Sequence, residues 1–268
     1  MTALTAAGVE TPRLDAEVLL AYAMGIDRAR LYMDRELTVE GPAVRTYQDA
    51  IRRRSVEREP VAYITGKKGF RHIELKVDHR ALIPRPETEL LVEIGIALPE
   101  AVSVLDLGTG SGAVALALKH ERKDLNVTGS DISDPALQLA RDNGAKLGLE
   151  VKWLRSDLMD EIPDEYDTVL SNPPYVAESE RAMLAPEILR HEPQDALFAG
   201  NDGLETIRRL IAQLAERDRI RLAALEVGAG QAEAVTDLLR DAGFPAVRTE
   251  RDLAGIERVV VAERRRSV

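Results

Sequence analysis

The chain has 268 residues, 36 Lys and Arg against 46 Asp and Glu, a formal net charge of −10 and no cysteine. The missing cysteines exclude a disulfide scaffold and zinc–thiolate chemistry, and no apolar run approaches the roughly 20 residues that span a bilayer. An acidic balance with 4% aromatic residues argues against a duplex-DNA or bare-RNA binder, which shows a basic patch or a stacking platform. With no signal-peptide pattern at Met1, a cytoplasmic enzyme is the expectation.

Residues 1–58 read as a helical domain. Leu14, Val18, Leu19 and Tyr22 recur at helical spacing, as do Val44, Tyr47 and Ile51, and Gly25 and Gly41-Pro42 punctuate them. Between residues 59 and 85 the period changes. Ile73, Leu75 and Val77 alternate with Glu74, Lys76 and Asp78, which predicts a linking β-hairpin. Pro84-Arg85-Pro86 ends it, and Glu87-Thr88-Glu89 puts acids in the first turn of the next helix, where they suit its dipole. Across residues 86–268 strands and helices alternate to about residue 227, the pattern of a parallel sheet, and 244–249 and 258–262 read as two closing strands. The basic clusters Arg52-Arg53-Arg54 and Arg264-Arg265-Arg266 read as solvated helix and tail residues.

Polar and glycine residues gather at four successive strand ends. The run 103–107 leads into Gly108-Thr109-Gly110-Ser111-Gly112 and then an Ala/Leu-rich helix, the opening unit of a nucleotide-binding sheet. Asp106 is expected to brace that turn or cap the helix. Gly108-x-Gly110-x-x-Ala113 also satisfies the dinucleotide fingerprint, so a nicotinamide cofactor stays in play. The next strand ends at Asp131, where a carboxylate can take ribose hydroxyls, and the third leads to Ser156-Asp157-Leu158. The fourth ends in Asn172-Pro173-Pro174-Tyr175. Neither proline donates a ladder hydrogen bond, so the elbow presents a side-chain amide, uncommitted carbonyls and an aromatic face. That set suits a planar NH2 group. A hydride-transfer enzyme needs a proton donor near its nicotinamide, and none of the four His follows a predicted strand there. Methyl transfer from a sulfonium needs a nucleophile held in line, which favours S-adenosylmethionine.

The chain resembles the HemK/PrmC family of class I methyltransferases. The likeness runs through Arg58-Glu59-Pro60-Val61-Ala62-Tyr63-Ile64-Thr65-Gly66, Leu82-Ile83-Pro84-Arg85-Pro86-Glu87-Thr88-Glu89, the glycine turn and the Asn-Pro-Pro-Tyr elbow. It continues in Glu192-Pro193, Gly200-x-Asp202-Gly203-Leu204 and residues 252–258. Two departures stand out: the segment before Thr11 is short for the first helix of the small domain, and Leu158 replaces a Trp common in some relatives.

The resemblance implies an α/β, Rossmann-like class I S-adenosylmethionine-dependent methyltransferase with a mostly parallel seven-stranded sheet, preceded by the small helical domain and the hairpin. It implies transfer of a methyl group to the side-chain nitrogen of the glutamine in the Gly-Gly-Gln loop of peptide-chain release factors. The helical domain would hold that protein partner, and the enzyme would act as a monomer without membrane or direct nucleic-acid binding. Asn172 (side-chain oxygen) and Pro173 (carbonyl) would accept the two N–H bonds of the target amide, with Tyr175 against its plane and Pro174 shaping the site. Gly108, Thr109, Gly110, Ser111 and Gly112 would hold the methionine end of the cofactor with Asp106. Asp131 would take the ribose, Asp157 and Leu158 the adenine, and no metal is expected. Arg85, Glu87 and His191 read as structural. Three alternatives stand: a glutamine methyltransferase acting on a ribosomal protein, an exocyclic-amine nucleic-acid methyltransferase, and a non-catalytic module retaining the fold.

Overall fold

The protein is described from a computed structural model covering residues 1–34 and 36–264. Its chain divides into two compact units, residues 1–67 with 184–192, and residues 68–183 with 193 onward.

The first unit carries α1 (Thr2–Ala6), α2 (Pro12–Met24), α3 (Arg30–Met33), α4 (Pro42–Arg52) with a π-helical turn Arg53–Glu57, and α5 (Val61–Thr65). Pro12 and Pro42 open their helices, where a missing N–H costs nothing, and Gly25 closes α2 at φ 64°. The helix lies where the spacing predicts it, but of the expected stripe Leu14 and Tyr22 are exposed and Leu19 is buried, and α2 also buries Asp15, Ala16 and Ala21. Asp15 is inside because Arg54 meets it at 2.7 Å. Arg54 is therefore a buried ion-pair member, which corrects its reading as solvated. Its Nη2 also meets Glu187 at 3.0 Å, and Arg58 holds the other Glu187 oxygen at 2.7 Å. Glu187 belongs to a helix at Pro186–His191, and His191 bonds the Glu57 carbonyl at 2.8 Å. These contacts enrol residues 184–192 in the helical unit, although they lie inside the 86–268 range read from sequence as one domain.

The second unit opens with the hairpin β1 (Lys67–Phe70) and β2 (Ile73–Lys76), shorter than the 59–85 span expected because α5 occupies 61–65. A 3-10 turn at Pro86–Thr88 leads into α6 (Glu89–Ile96). Then come β3 (Ser103–Leu107), α7 (Ala113–Glu121), β4 (Asn126–Asp131), α8 (Asp134–Leu147), β5 (Lys152–Arg155) and β6 (Thr168–Ser171). Counting the 186–191 helix as α9, the chain continues through α10 (Glu205–Ala215), β7 (Leu222–Glu226), α11 (Ala232–Asp241), β8 (Ala246–Arg251) and β9 (Glu257–Glu263).

The seven strands run in the order β5-β4-β3-β6-β7-β9-β8. Strands β3 to β7 pair in parallel, while β9 lies antiparallel to both β7 and β8, as the closing strands were expected to do. All of β6 is buried, as suits a strand covered on both faces. The order reverses between β3 and β6, whose ends meet at Leu107 and Ser171, and open α/β sheets bind ligands outside such a switch point. Arg264 also departs from its solvated reading. It bonds the Arg217 and Leu214 carbonyls and lies 4.2 Å from the Phe244 ring centroid, whereas Arg265 and Arg266 are outside the described residues.

Asn143 of α8, fully buried, ties hairpin to glycine turn. Its Oδ1 accepts from Lys76 N at 2.8 Å, and its Nδ2 donates to the carbonyls of Lys76 at 3.0 Å and Ser111 at 2.9 Å. Asn143→Leu strands those backbone groups without water. The expected loss is about 3 kcal/mol, read as a lower urea midpoint; an unchanged midpoint would remove this role.

Candidate active site

The turn between β3 and α7 is set by two carboxylates. Asp106, buried, accepts from Thr109 Oγ1 at 2.5 Å and from Ala115 N at 3.0 Å, so it both braces the turn and caps the helix. Asp131 accepts from Gly110 N and Ser133 N, each at 2.9 Å. Ser130's carbonyl takes the N–H groups of Gly108 and Thr109, and Thr109's carbonyl takes that of Gly112. A turn whose amides are so engaged is not a phosphate cradle. Burial pushes Asp106 up to about 6, and burial raises Asp131 as well, with backbone donors pulling the other way. The two carboxylates make the cleft floor acidic.

A cleft of about 610 Å³ opens over this turn, within the usual range of small-ligand sites. Of the residues expected to form a site, Asp106, Gly108, Thr109, Gly110, Ser111, Asp131, Asp157, Leu158, Asn172, Pro173 and Pro174 all line it. Leu158 does so from φ 51°, and Asp157 is held by Arg209 at 2.8 Å.

Gly112 and Tyr175 are not in the lining. Gly112 has φ 84°, and a Cβ there would meet Leu116, Trp153 and Ala140 at 3.0–3.2 Å, so it is needed for packing. Tyr175 turns its ring against the apolar cluster between sheet and helices, and its hydroxyl donates to Glu226 at 3.3 Å. Burial and the neighbouring carboxylate push its hydroxyl pKa up. Its backbone is pinned too. The Tyr175 carbonyl accepts from Gln231 at 3.0 Å, and Val176 exchanges backbone hydrogen bonds with Leu197 and Ala199. Gly203 sits so close to that carbonyl that any side chain would collide.

Asn172 donates through Nδ2 to Thr88 Oγ1 at 3.1 Å, which leaves its carbonyl oxygen for the cleft. Thr88 and Arg85 also line the cleft, and His191 does not. Sequence reasoning missed three participants: Thr88 as the partner of Asn172, Glu226 as the partner of Tyr175, and Gly129. A Cβ on Gly129 would strike the Trp153 ring, with a second ring atom at 2.7 Å and Thr109 Oγ1 at 2.9 Å. Of the three, Gly129 was the one legible in principle, as a glycine inside a strand marks close approach.

Family models match in two places: the PrmC N-terminal domain over residues 2–66 and the methyltransferase small domain over residues 86–201. The chain is 41% identical over 264 residues to the release factor glutamine methyltransferase of Caulobacter vibrioides, covering 95% of this chain and 90% of that protein. It is 38% identical over 265 residues to that of Deinococcus radiodurans, covering 97% and 94%. Among solved structures, the human Mettl16 catalytic domain bound to an RNA hairpin aligns with TM-score 0.59 at 17% identity, over 85% of this chain and 84% of that one. The Thermus thermophilus 16S rRNA N2 G1207 methyltransferase with AdoMet and guanosine aligns with TM-score 0.54 at 20% identity, over 74% and 50%. At such identities these two establish the shared fold.

Gly129→Ala is expected to force Trp153 and Thr109 apart, costing about 1–3 kcal/mol by overpacking. A thermal midpoint equal to that of the wild type would show the contact to be relaxed.

Proposed function

Because the chain belongs to the release factor glutamine methyltransferase family, we propose that it methylates the side-chain nitrogen of the Gly-Gly-Gln glutamine of peptide-chain release factors, with S-adenosylmethionine as donor. The observation that carries this reading is the Asn172 amide, whose nitrogen is engaged by Thr88 and whose oxygen is therefore an oriented acceptor beside an acidic cleft floor.

The donor set fits this cofactor better than a dinucleotide. A pyrophosphate favours free amides and positive charge at the helix N-terminus; here Asp131 takes Gly110 N in the turn, Asp106 takes Ala115 N in the first turn of α7, and both bring carboxylates to the site. A cationic amino and sulfonium group suits such a floor. Asp106 with residues 108–111 would hold the methionine end, Asp131 the ribose hydroxyls, and Asp157 and Leu158 the adenine. When bound, the cofactor supplies an electrophilic methyl group.

A carboxamide nitrogen is a weak nucleophile, because its lone pair is delocalised into the carbonyl. Positioning is the available lever, and oriented reactants can recover roughly 7–11 kcal/mol of barrier. Asn172 Oδ1 and the Pro173 carbonyl would each take one N–H of the target. As that nitrogen gains positive charge its hydrogens become more acidic, so both hydrogen bonds strengthen in the transition state. Tyr175 enters differently from its first reading: its ring faces the protein interior, and its hydroxyl braces Glu226. Pro173 and Pro174 hold the elbow rigid. No helix among the described residues is long and apolar enough to cross a membrane.

Two measurements test this. S-Adenosylmethionine should raise the thermal midpoint while NAD leaves it unmoved; the reverse would reinstate the dinucleotide reading. Asn172→Ala should lower kcat by at least about a hundredfold, the scale of losing a transition-state hydrogen bond, with cofactor affinity within a few-fold of wild type. Turnover equal to the wild type would end the acceptor role.

A further inference from the structure

Residues 156–167 join β5 to β6 without a helix of their own. Their backbone groups must find partners elsewhere, since a buried peptide group left without one is costly. Buried Ser156 serves from within the segment. Its hydroxyl donates to the Leu158 carbonyl at 2.8 Å and accepts from Glu161 N at 3.1 Å. Further partners come from α10. Gln213 accepts from Met159 N at 3.0 Å and donates to Asp160 Oδ1 at 2.6 Å. Arg209, four residues earlier and so on the same helix face, holds Asp157 at 2.8 Å. Arg217, just past the helix end, donates to the carbonyls of Met159 and Ile162, both at 2.9 Å.

The group gripped most directly is the peptide between Leu158 and Met159. Ser156 holds its carbonyl and Gln213 holds its N–H, so it is fixed at both ends. Leu158 there has φ 51°, a left-handed conformation that an L side chain keeps only where its surroundings impose it. Through this corner Leu158 lines the cleft, while Met159 beside it is 1% exposed and packs in the core. Thr206 and Arg209 bring α10 to the same cleft wall.

We propose that Gln213 is a positioning residue for cofactor binding, gripping this peptide so that Leu158 stands as the wall against the adenine. The identity of the cofactor rests on the methyltransferase reading. A leucine has no ring to stack on a base, so its contact is dispersion, and a gap of roughly 0.5–1 Å forfeits about a quarter to a half of that attraction. The placement of the backbone therefore decides how well Leu158 serves. A clasp that only held the fold together would lower the thermal midpoint and leave ligand affinity alone.

Calorimetry on the whole chain separates the two. The probes are S-adenosylmethionine and 5′-methylthioadenosine, which keeps the adenosine and lacks the amino-acid end. Gln213→Met has a similar shape without either hydrogen bond, and it should raise Kd for both probes at least about fivefold, the scale of one hydrogen bond. With release factor present, KM for S-adenosylmethionine should rise by a similar factor while kcat at saturation stays within about twofold. Gln213→Glu, a second variant should the first not fold, keeps the bond to Met159 N but sets a carboxylate against Asp160. Its Kd should rise as well, and Asp160→Asn added to it should restore the affinity by supplying a donor to that carboxylate. Unchanged affinity in both folded single variants overturns the positioning role, whatever the activity. A wild-type protein that binds neither probe overturns it together with the adenine reading. Weakened binding in the variants with no methyl transfer by the wild type supports the positioning and rejects the proposed substrate instead.

Discussion

Two carboxylates at neighbouring strand ends, Asp106 and Asp131, hold the turn on which the rest of the site depends. Between them they accept two backbone amides inside the turn-and-helix segment, one amide beyond β4 and one hydroxyl. The switch point of the sheet would leave a cleft in any such fold. The carboxylates decide its character. They take up Gly110 N and Ala115 N and line the floor with acidic groups, which suits a cation better than a phosphate. Asp106 accepts this despite burial, because two donors meet it.

The second element of the site is rigid for a different reason. Two prolines restrict the elbow locally, but its direction is set from outside. Gln231 and Gly203 fix the Tyr175 carbonyl, the 197–199 backbone pairs with Val176, and Ser171 Oγ donates to the Leu107 carbonyl at 2.8 Å. Asn172 thus enters the cleft from a backbone held on both sides. A positioning mechanism requires this, since an acceptor that wanders gives up the orientation it is meant to impose.

Much of this was legible in the sequence because the decisive signals are local. Glycine spacing after an apolar run gave the turn, and alternation at residues 73–78 gave the second hairpin strand. The carboxylate ending β4 and the proline pair ending β6 marked the cleft rim. What stayed hidden is non-local. Nothing near Tyr175 announces that its hydroxyl will find Glu226, 51 positions later, so its ring was assigned to the substrate. Gly112 shares the motif, yet its φ of 84° and the close approach of Leu116, Trp153 and Ala140 call for glycine there without any contact with the cleft. Asn143 is an ordinary helix residue until three backbone partners surround it. The ion pairs of Glu187 with Arg54 and Arg58 span 133 and 129 positions, which no periodicity reports, and they carry residues 184–192 into the helical unit.

The central claim is that this cleft delivers a methyl group to a glutamine amide held by Asn172. Its most direct test is transfer of labelled methyl from S-adenosylmethionine to purified release factor, comparing the Gly-Gly-Gln loop with a Gln→Ala version. The account predicts label in the first and none in the second. Equal labelling of both, or label in neither while the cofactor binds, would contradict it.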